Sequence, residues 1–342
     1  MKNLSRPIFF LALPFVLLTF CTPKEETADV LSEKSIQPEL LSWNEGKSKS
    51  AIMDFVEKAV DANSPDFVPV ADRIAVFDND GTLWSEQPMY FQLAFALDEI
   101  KRMAPEHPEW KTTPPFSDLL NGDVQKFMSE EKNLFMLMAN THANMGTDEF
   151  DMRVKEWMKT AVHPKTGKHY NEMIFQPMLE LLEYLRAHEF KTFIVSGGGI
   201  DFMRAWTEEA YGIPPYQVVG SLFGLAYIDS TATPELIKIP ELFFNDDKGG
   251  KPVGIHRNIG KRPVFAGGNS DGDYQMLQYT STGSGPRFGM YVHHTDSVRE
   301  YAYDRNSSIG RLNKGLDDAS KYGWLIVDMA KDWKVIYPFD KQ

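Results

Sequence analysis

The chain has 342 residues, enough for one sizeable hydrophobic core with a smaller inserted domain. Its formal charge of -12 disfavours nonspecific binding to nucleic-acid phosphates, so an anionic ligand requires a local cationic site. The only cysteine is Cys21, which excludes a disulfide within the chain.

At the amino terminus, Lys2 and Arg6 precede an apolar run from Ile8 to Leu18, and Cys21 follows closely. The run is shorter than the ~20 apolar residues of a bilayer span, so residues 1–21 read as an export signal. A sole cysteine at the end of such a signal resembles the bacterial lipoprotein pattern. Leu18 and Thr19 suit that pattern, and Phe20 departs from the small residue usual before the cysteine. The resemblance implies a lipid anchor on Cys21 and an exported protein, periplasmic or membrane-anchored. Residues 22–46 are rich in Pro, Glu, Lys and Ser without sustained periodicity, and read as a flexible tether.

A helix is expected over residues 50–62, where Ile52, Phe55, Val56 and Val60 recur at helical spacing, and a short buried strand follows at Ile74–Phe77. The strand stops at Asp78-Asn79-Asp80-Gly81. Alternation along an extended backbone turns Asp78 and Asp80 to the same side, at the strand's carboxyl end, where two carboxylates can hold a hard cation. Residues 86–173 have helical periodicity and almost no strand character, so they read as a helical cap inserted after the first motif. Residues 47–85 and 174–342 are then the core. Met89, Tyr90, Met128, Phe135, Met136, Met138 and Met145 could line a pocket under the cap, although such residues at helical spacing are more often core.

A second strand, from Lys191, runs into Ser196-Gly197-Gly198-Gly199, a turn whose amides can converge on an anion ahead of a helix expected over Asp201–Tyr211. Residues 218–228 and 235–239 read as further strands. Lys251 stands next to Pro252 at a helix start, where a cation opposes the helix dipole unless an anion is near. A strand over 262–266 leads to Gly267-Gly268-Asn269-Ser270-Asp271-Gly272-Asp273, and another strand covers 289–292. Strands ending in polar loops and joined by helices indicate an α/β fold with a mainly parallel, Rossmann-like sheet and the polar strand ends on one face.

These residues resemble the haloacid dehalogenase superfamily, nearest its phosphoserine phosphatase and phosphorylcholine phosphatase branch, over residues 74–295. The resemblance rests on DNDGTL at Asp78–Leu83, Ser196 at a strand end, Lys251, and GNSDGD at Gly268–Asp273. It implies a three-layer core and hydrolysis of a small phosphomonoester, with Asp78 as nucleophile, Asp80 as general acid and base, and Lys251 offsetting negative charge. Asn79, Ser196, Gly197 and Lys251 would hold phosphate. Mg²⁺ would bind Asp78, the carbonyl of Asp80 and Asn269, with Asp273 a ligand or orienting group and Asp271 the substitute. The family's last motif commonly begins Gly-Asp, so Asn269 is a departure that removes a charge. A phosphotransferase or phosphomutase of the same fold, or an exported anion-binding lipoprotein, are the alternatives. His142, His163 and His169 read as exposed polar residues, and His293 and His294 as structural or peripheral.

Overall fold

The computed structural model describes residues 39–341, apart from 129, 231 and 232; the expected signal, Cys21 and most of the tether lie outside the described residues. The central strand is β1 (Ile74–Phe77), in a seven-stranded sheet of order β4-β3-β2-β1-β5-β6-β7. The other strands are β2 (Lys191–Gly199), β3 (Val218–Ile228), β4 (Glu235–Phe244), β5 (Phe265–Gly268), β6 (Phe288–His293) and β7 (Leu325–Asp328). Every pair is parallel except β3 with β4. All four residues of β1 are buried, because helices cover both faces of a parallel sheet, and this is why its apolar run is continuous rather than alternating.

Ala75 and Phe77 face one cluster, with Ile52 and Val56 of α1 (Lys47–Val60) and Leu181 of α7 (Gln176–Ala187). Ile74 and Val76 face the other, with Ile255 of α10 (Gly250–Asn258) and Leu277 of α11 (Tyr274–Ser281). Helices α2 (Phe91–Met103), α3 (Phe116–Leu120), α4 (Val124–Met128), α5 (Glu131–His142) and α6 (Thr147–Thr160) fall within the segment expected to be helical, hereafter the cap. Its own core includes Leu93, Ile100, Trp110, Phe116 and Leu137. The remaining helices are α7 (Gln176–Ala187), α8 (Ile200–Arg204), α9 (Thr207–Tyr211), α10 (Gly250–Asn258), α11 (Tyr274–Ser281), α12 (Lys314–Tyr322) and α13 (Met329–Asp332). None of the described helices is long and apolar enough to cross a membrane.

Three expectations need correction. The tether cannot extend to residue 46, because Leu40 and Trp43 are 1% and 2% exposed. Trp43 Nε1 donates to the carbonyl of Pro177 (2.9 Å), its ring meets Trp333 edge-on, and both the amide and hydroxyl of Ser42 donate to the Glu180 carboxylate. The helix expected over Asp201–Tyr211 is broken into α8 and α9 around Trp206, whose backbone leaves helical geometry (φ -141°) and whose ring stacks on Trp84 at 4.2 Å. The strand expected over 262–266 starts later, at Phe265.

The antiparallel β3–β4 hairpin also does more than complete the sheet. Asn144 donates to the Lys238 carbonyl (2.6 Å) and Lys238 donates to the Met145 carbonyl (2.9 Å), so the cap is pinned to the hairpin by backbone bonds. Trp43→Ala should lower unfolding free energy by about 3–5 kcal/mol in urea titration, the range for emptying a buried large aromatic site. Leu41→Ala, at a 63% exposed neighbour, should leave stability nearly unchanged.

Candidate functional site

The carboxyl ends of the adjacent parallel strands β2, β1 and β5 lie at one edge of the sheet, and the residues at those ends are polar. Asp78 follows β1 directly, and its amide donates to the carbonyl of Gly267 in β5 (3.0 Å), which continues the ladder and fixes the carboxylate's height. Lys251, buried in the first turn of α10, donates to Asp78 Oδ1 (2.6 Å), Asp273 Oδ1 (2.6 Å) and the carbonyl of Val195 (2.8 Å). Three ammonium protons thus meet three acceptors. Asp273 uses its other oxygen, Oδ2, to accept the amides of Asn269 (2.9 Å) and Ser270 (3.0 Å), so it ties the last loop to the lysine.

Asp80 lies in the same cavity, and its Oδ1 accepts from Trp84 Nε1 (2.8 Å). Asn79, the residue between, turns the opposite way: its Oδ1 accepts from Tyr211 Oη (3.1 Å). The Asn79 side chain is thus committed away from the two aspartates, so a contact of Asn79 with phosphate would be made by its backbone amide. Ser196 Oγ accepts from the amide of Gly198 (3.1 Å), which leaves the hydroxyl proton available to a ligand, and Gly197 and Gly198 line the cavity beside it. The cavity is about 390 Å³.

Two expected residues separate at the last loop. Asn269 enters the site: its Oδ1 accepts from Thr82 Oγ1 (3.1 Å) and its Nδ2 donates to Glu86 Oε1 (2.6 Å). Asp271 does not. Its Oδ1 accepts the amides of Asn313 (3.2 Å) and Gly315 (2.8 Å), and its Oδ2 accepts that of Lys314 (3.1 Å), so it caps the start of α12 and is no substitute ligand.

Glu86 is the site residue that sequence reasoning missed. It is buried, lines the cavity, and accepts at Oε1 from both Asn269 Nδ2 and Tyr303 Oη (2.8 Å). A side chain on Gly81 (φ 71°) or Gly310 (φ 66°) would collide with that same oxygen, so both glycines are required for close approach as well as for backbone conformation. No local motif signals Glu86, because its partners lie far along the chain.

Among the histidines, His142 and His163 are 2% and 1% exposed, not exposed as expected. His163 Nε2 donates to the carbonyl of Gln87 (2.8 Å), and His169 is half-buried at the carbonyl of Ala161. His294 is structural: its Nε2 donates to the carbonyl of Gly81 (2.7 Å) while Nδ1 faces Glu300 Oε2 (3.3 Å), bracing the loop that carries Asp80. Its neighbour His293 points instead to Asp304.

The electrostatics are unbalanced. Asp78, Asp80, Glu86 and Asp273 line the cavity together with one ammonium, that of Lys251, which pairs with Asp78 and Asp273. Burial, with Asp273 adding to it, pushes the Asp78 carboxyl above the usual range against the pull of Lys251. Burial raises Asp80 to about 6, opposed by the Trp84 hydrogen bond and Lys251. Burial also holds Glu86 well above its usual range; the bond from Tyr303 opposes this, and the charges of Asp80 and Asp78 add to it. For Lys251 burial disfavours the charge, yet Asp273 and Asp78 outweigh it and raise the pKa.

Such a surplus of buried carboxylate suits a hard divalent cation with oxygen ligands. Among the described residues no three His, Cys, Asp or Glu side chains converge on one point. A cation here would therefore rely on Asp78, the Asp80 carbonyl and the amide oxygen of Asn269, and the donor set fits Mg²⁺. Asp273, with both oxygens already engaged, orients Asn269 and Lys251.

The family model described as haloacid dehalogenase-like hydrolase matches residues 75–278, more than half of the chain. No curated protein matches. Similar solved structures include a protein of unknown function from Bordetella pertussis Tohama I, with 16% identity and a TM-score of 0.47 over 75% of this chain and 98% of that one. A probable phosphoserine phosphatase from Vibrio cholerae is 14% identical, with a TM-score of 0.35 over 72% of this chain and 64% of that one. Cytosolic 5'-nucleotidase IIIB bound to cytidine is 13% identical, with a TM-score of 0.41 over 83% and 86%.

The raised pKa of Asp80 has a consequence for stability without metal. The native state binds this proton more tightly than the unfolded chain, so the associated stability is present below the ordinary value of 3.8 and is lost as pH rises through about 6. In chelator, Asp80→Asn should melt several degrees above wild type at about pH 8, and the gain should vanish near about pH 4. Thermal scans at the two pH values check this.

Proposed function

The chain belongs to the haloacid dehalogenase-like hydrolase family, and from the geometry of its site we propose that it is a Mg²⁺-dependent phosphomonoesterase working through an aspartyl phosphate. The observation that carries this reading is the unequal treatment of two aspartates at one strand end. Asp78 is gripped by the charged ammonium of Lys251, whereas Asp80 accepts from the neutral indole N–H of Trp84. Two carboxyl groups whose environments differ in this way suit a nucleophile and a proton carrier.

In the first step an oxygen of Asp78 bonds to phosphorus as the ester P–O bond breaks, and the leaving oxygen takes the proton of Asp80. In the second step Asp80, now a carboxylate, takes a proton from water as that water's oxygen bonds to phosphorus. The bond between phosphorus and Asp78 breaks, which releases inorganic phosphate and restores both side chains. Lys251 keeps the approach of two anions from being repulsive, and the Ser196 hydroxyl and the Gly197 amide supply donors for the phosphoryl oxygens. Mg²⁺ bound by Asp78, the Asp80 carbonyl and Asn269 would supply further charge neutralisation. A carbon–halogen substrate releases halide, which needs no proton, and would leave Asp80 idle, which favours an ester with a poor leaving group.

The amino-terminal pattern supports an exported protein, anchored through a lipid on Cys21, that acts on small phosphorylated metabolites. Phosphate release from a panel of phosphomonoesters, with Mg²⁺ and with chelator, tests the activity. Release should require the metal, Asp78→Asn should lower it by roughly 10³-fold or more, and Lys251→Ala should lower it steeply too. No release from any ester by folded, Mg²⁺-loaded wild type would sink the reading, and full activity of Asp78→Asn would reject the nucleophile.

A further inference from the structure

A second cavity, of about 300 Å³, adjoins the first, and the two share Gln92, Leu134, Met138, Gly197 and Asn245. Because Gly197 follows the phosphate-binding serine, a phosphomonoester seated at Asp78 has this second space open to its alcohol portion. The walls are contributed by separate segments. Leu134, Phe135 and Met138 come from α5 of the cap, and Phe223 and Leu242 come from the β3–β4 hairpin. The rings of Phe135 and Phe223 face each other between the two segments, 6.4 Å apart.

The polar groups of this cavity leave no charge for a ligand to neutralise. Lys238 is 2% exposed, its ammonium pairs with Asp201, and it sits 4.9 Å from the centre of the Phe150 ring. His142 contacts Gln92 Nε2 (3.0 Å) and Thr141 Oγ1 (2.7 Å), and burial, followed by the charge of Lys238, keeps it neutral by lowering its pKa to about 3. Gln92 is itself fixed, since its Oε1 accepts the amide of Gly199 (2.7 Å). A charged substituent entering here would lose its hydration without gaining a partner, whereas an uncharged ring would exchange water for apolar and aromatic wall.

We propose that this second cavity is the leaving-group subsite, and that it selects phosphomonoesters of uncharged, ring-bearing alcohols over those of charged ones such as phosphoserine or phosphoethanolamine. The proposal rests on the phosphomonoesterase reading for where the phosphoryl group sits. The backbone bonds between the cap and Lys238 hold the two walls at a fixed spacing, so the selection is built into the junction of the cap and hairpin.

The test compares 3-phenylpropyl phosphate with phosphoethanolamine and phosphoserine, all esters of primary alcohols, on Mg²⁺-loaded protein. In parallel, calorimetry compares 3-phenylpropylphosphonate with 2-aminoethylphosphonate, which bind without turnover. The ring-bearing ester should have a kcat/KM at least about 10-fold higher. That ratio should fall in Phe223→Ala and in Phe135→Ala, the latter at a 43% exposed position where folding is little affected. Equal or reversed selectivity, or a ratio unchanged in both variants, overturns the proposal while phosphate release keeps the phosphomonoesterase reading. If no ester is hydrolysed, that reading fails and the phosphonates decide: tighter binding of the phenylpropyl compound supports the subsite, and equal or absent binding overturns it.

Discussion

One ammonium group holds this site together. Lys251 reaches from the start of α10 to Asp78 after β1, to Asp273 after β5 and to the Val195 carbonyl in β2, and so links three neighbouring strands at one point. Taking such charges out of water is costly, and the cost is offset only where each proton has an acceptor and each carboxylate a partner. Here the lysine meets that condition, whereas the carboxylates exceed it. Asp78, Asp80 and Glu86 all have raised pKa values, chiefly because burial disfavours their charged forms, and neighbouring carboxylates add to it. The imbalance is what a bound cation and an arriving phosphoryl group would exploit.

The departure of Asn269 from the usual aspartate is easier to understand in the presence of Glu86. A second carboxylate at position 269 would lie against Glu86 Oε1, adding repulsion to an already anionic site. The amide instead donates to that oxygen and accepts from Thr82, so it keeps an oxygen in the site without further charge. Charge removed at one end of the chain is thus compensated by a carboxylate contributed at the start of the cap. Gly81 and Gly310 allow this contact by leaving room around it.

Much of this was legible in the sequence where the chemistry is local. A continuous apolar run ending in Asp-Asn-Asp-Gly identifies a central parallel strand and its polar edge, and the Ser-Gly-Gly-Gly and Gly-Asn-Ser-Asp-Gly-Asp loops follow strands in the same way. The helical cap was equally readable from periodicity. Contacts made across long sequence separations were not. Glu86 meets Asn269 and Tyr303, Asp271 spends its carboxylate on α12, and Trp43 docks beside Pro177; none of these partners is nearby in the chain. Period-two alternation placed Asp78 and Asp80 on one side, yet only the structure supplied Tyr211 as the partner of Asn79 between them.

The two-step chemistry stands or falls on whether Asp78 becomes covalently modified. Rapid acid quenching during turnover of a phosphate-radiolabelled ester, followed by peptide mapping, reads this directly. The account predicts label on the peptide bearing Asp78, absent from Asp78→Asn and increased in Asp80→Asn when the ester's leaving group needs no proton, such as p-nitrophenolate, because only the second step then slows. Sustained phosphate release with no label on Asp78 in either wild type or Asp80→Asn would contradict it.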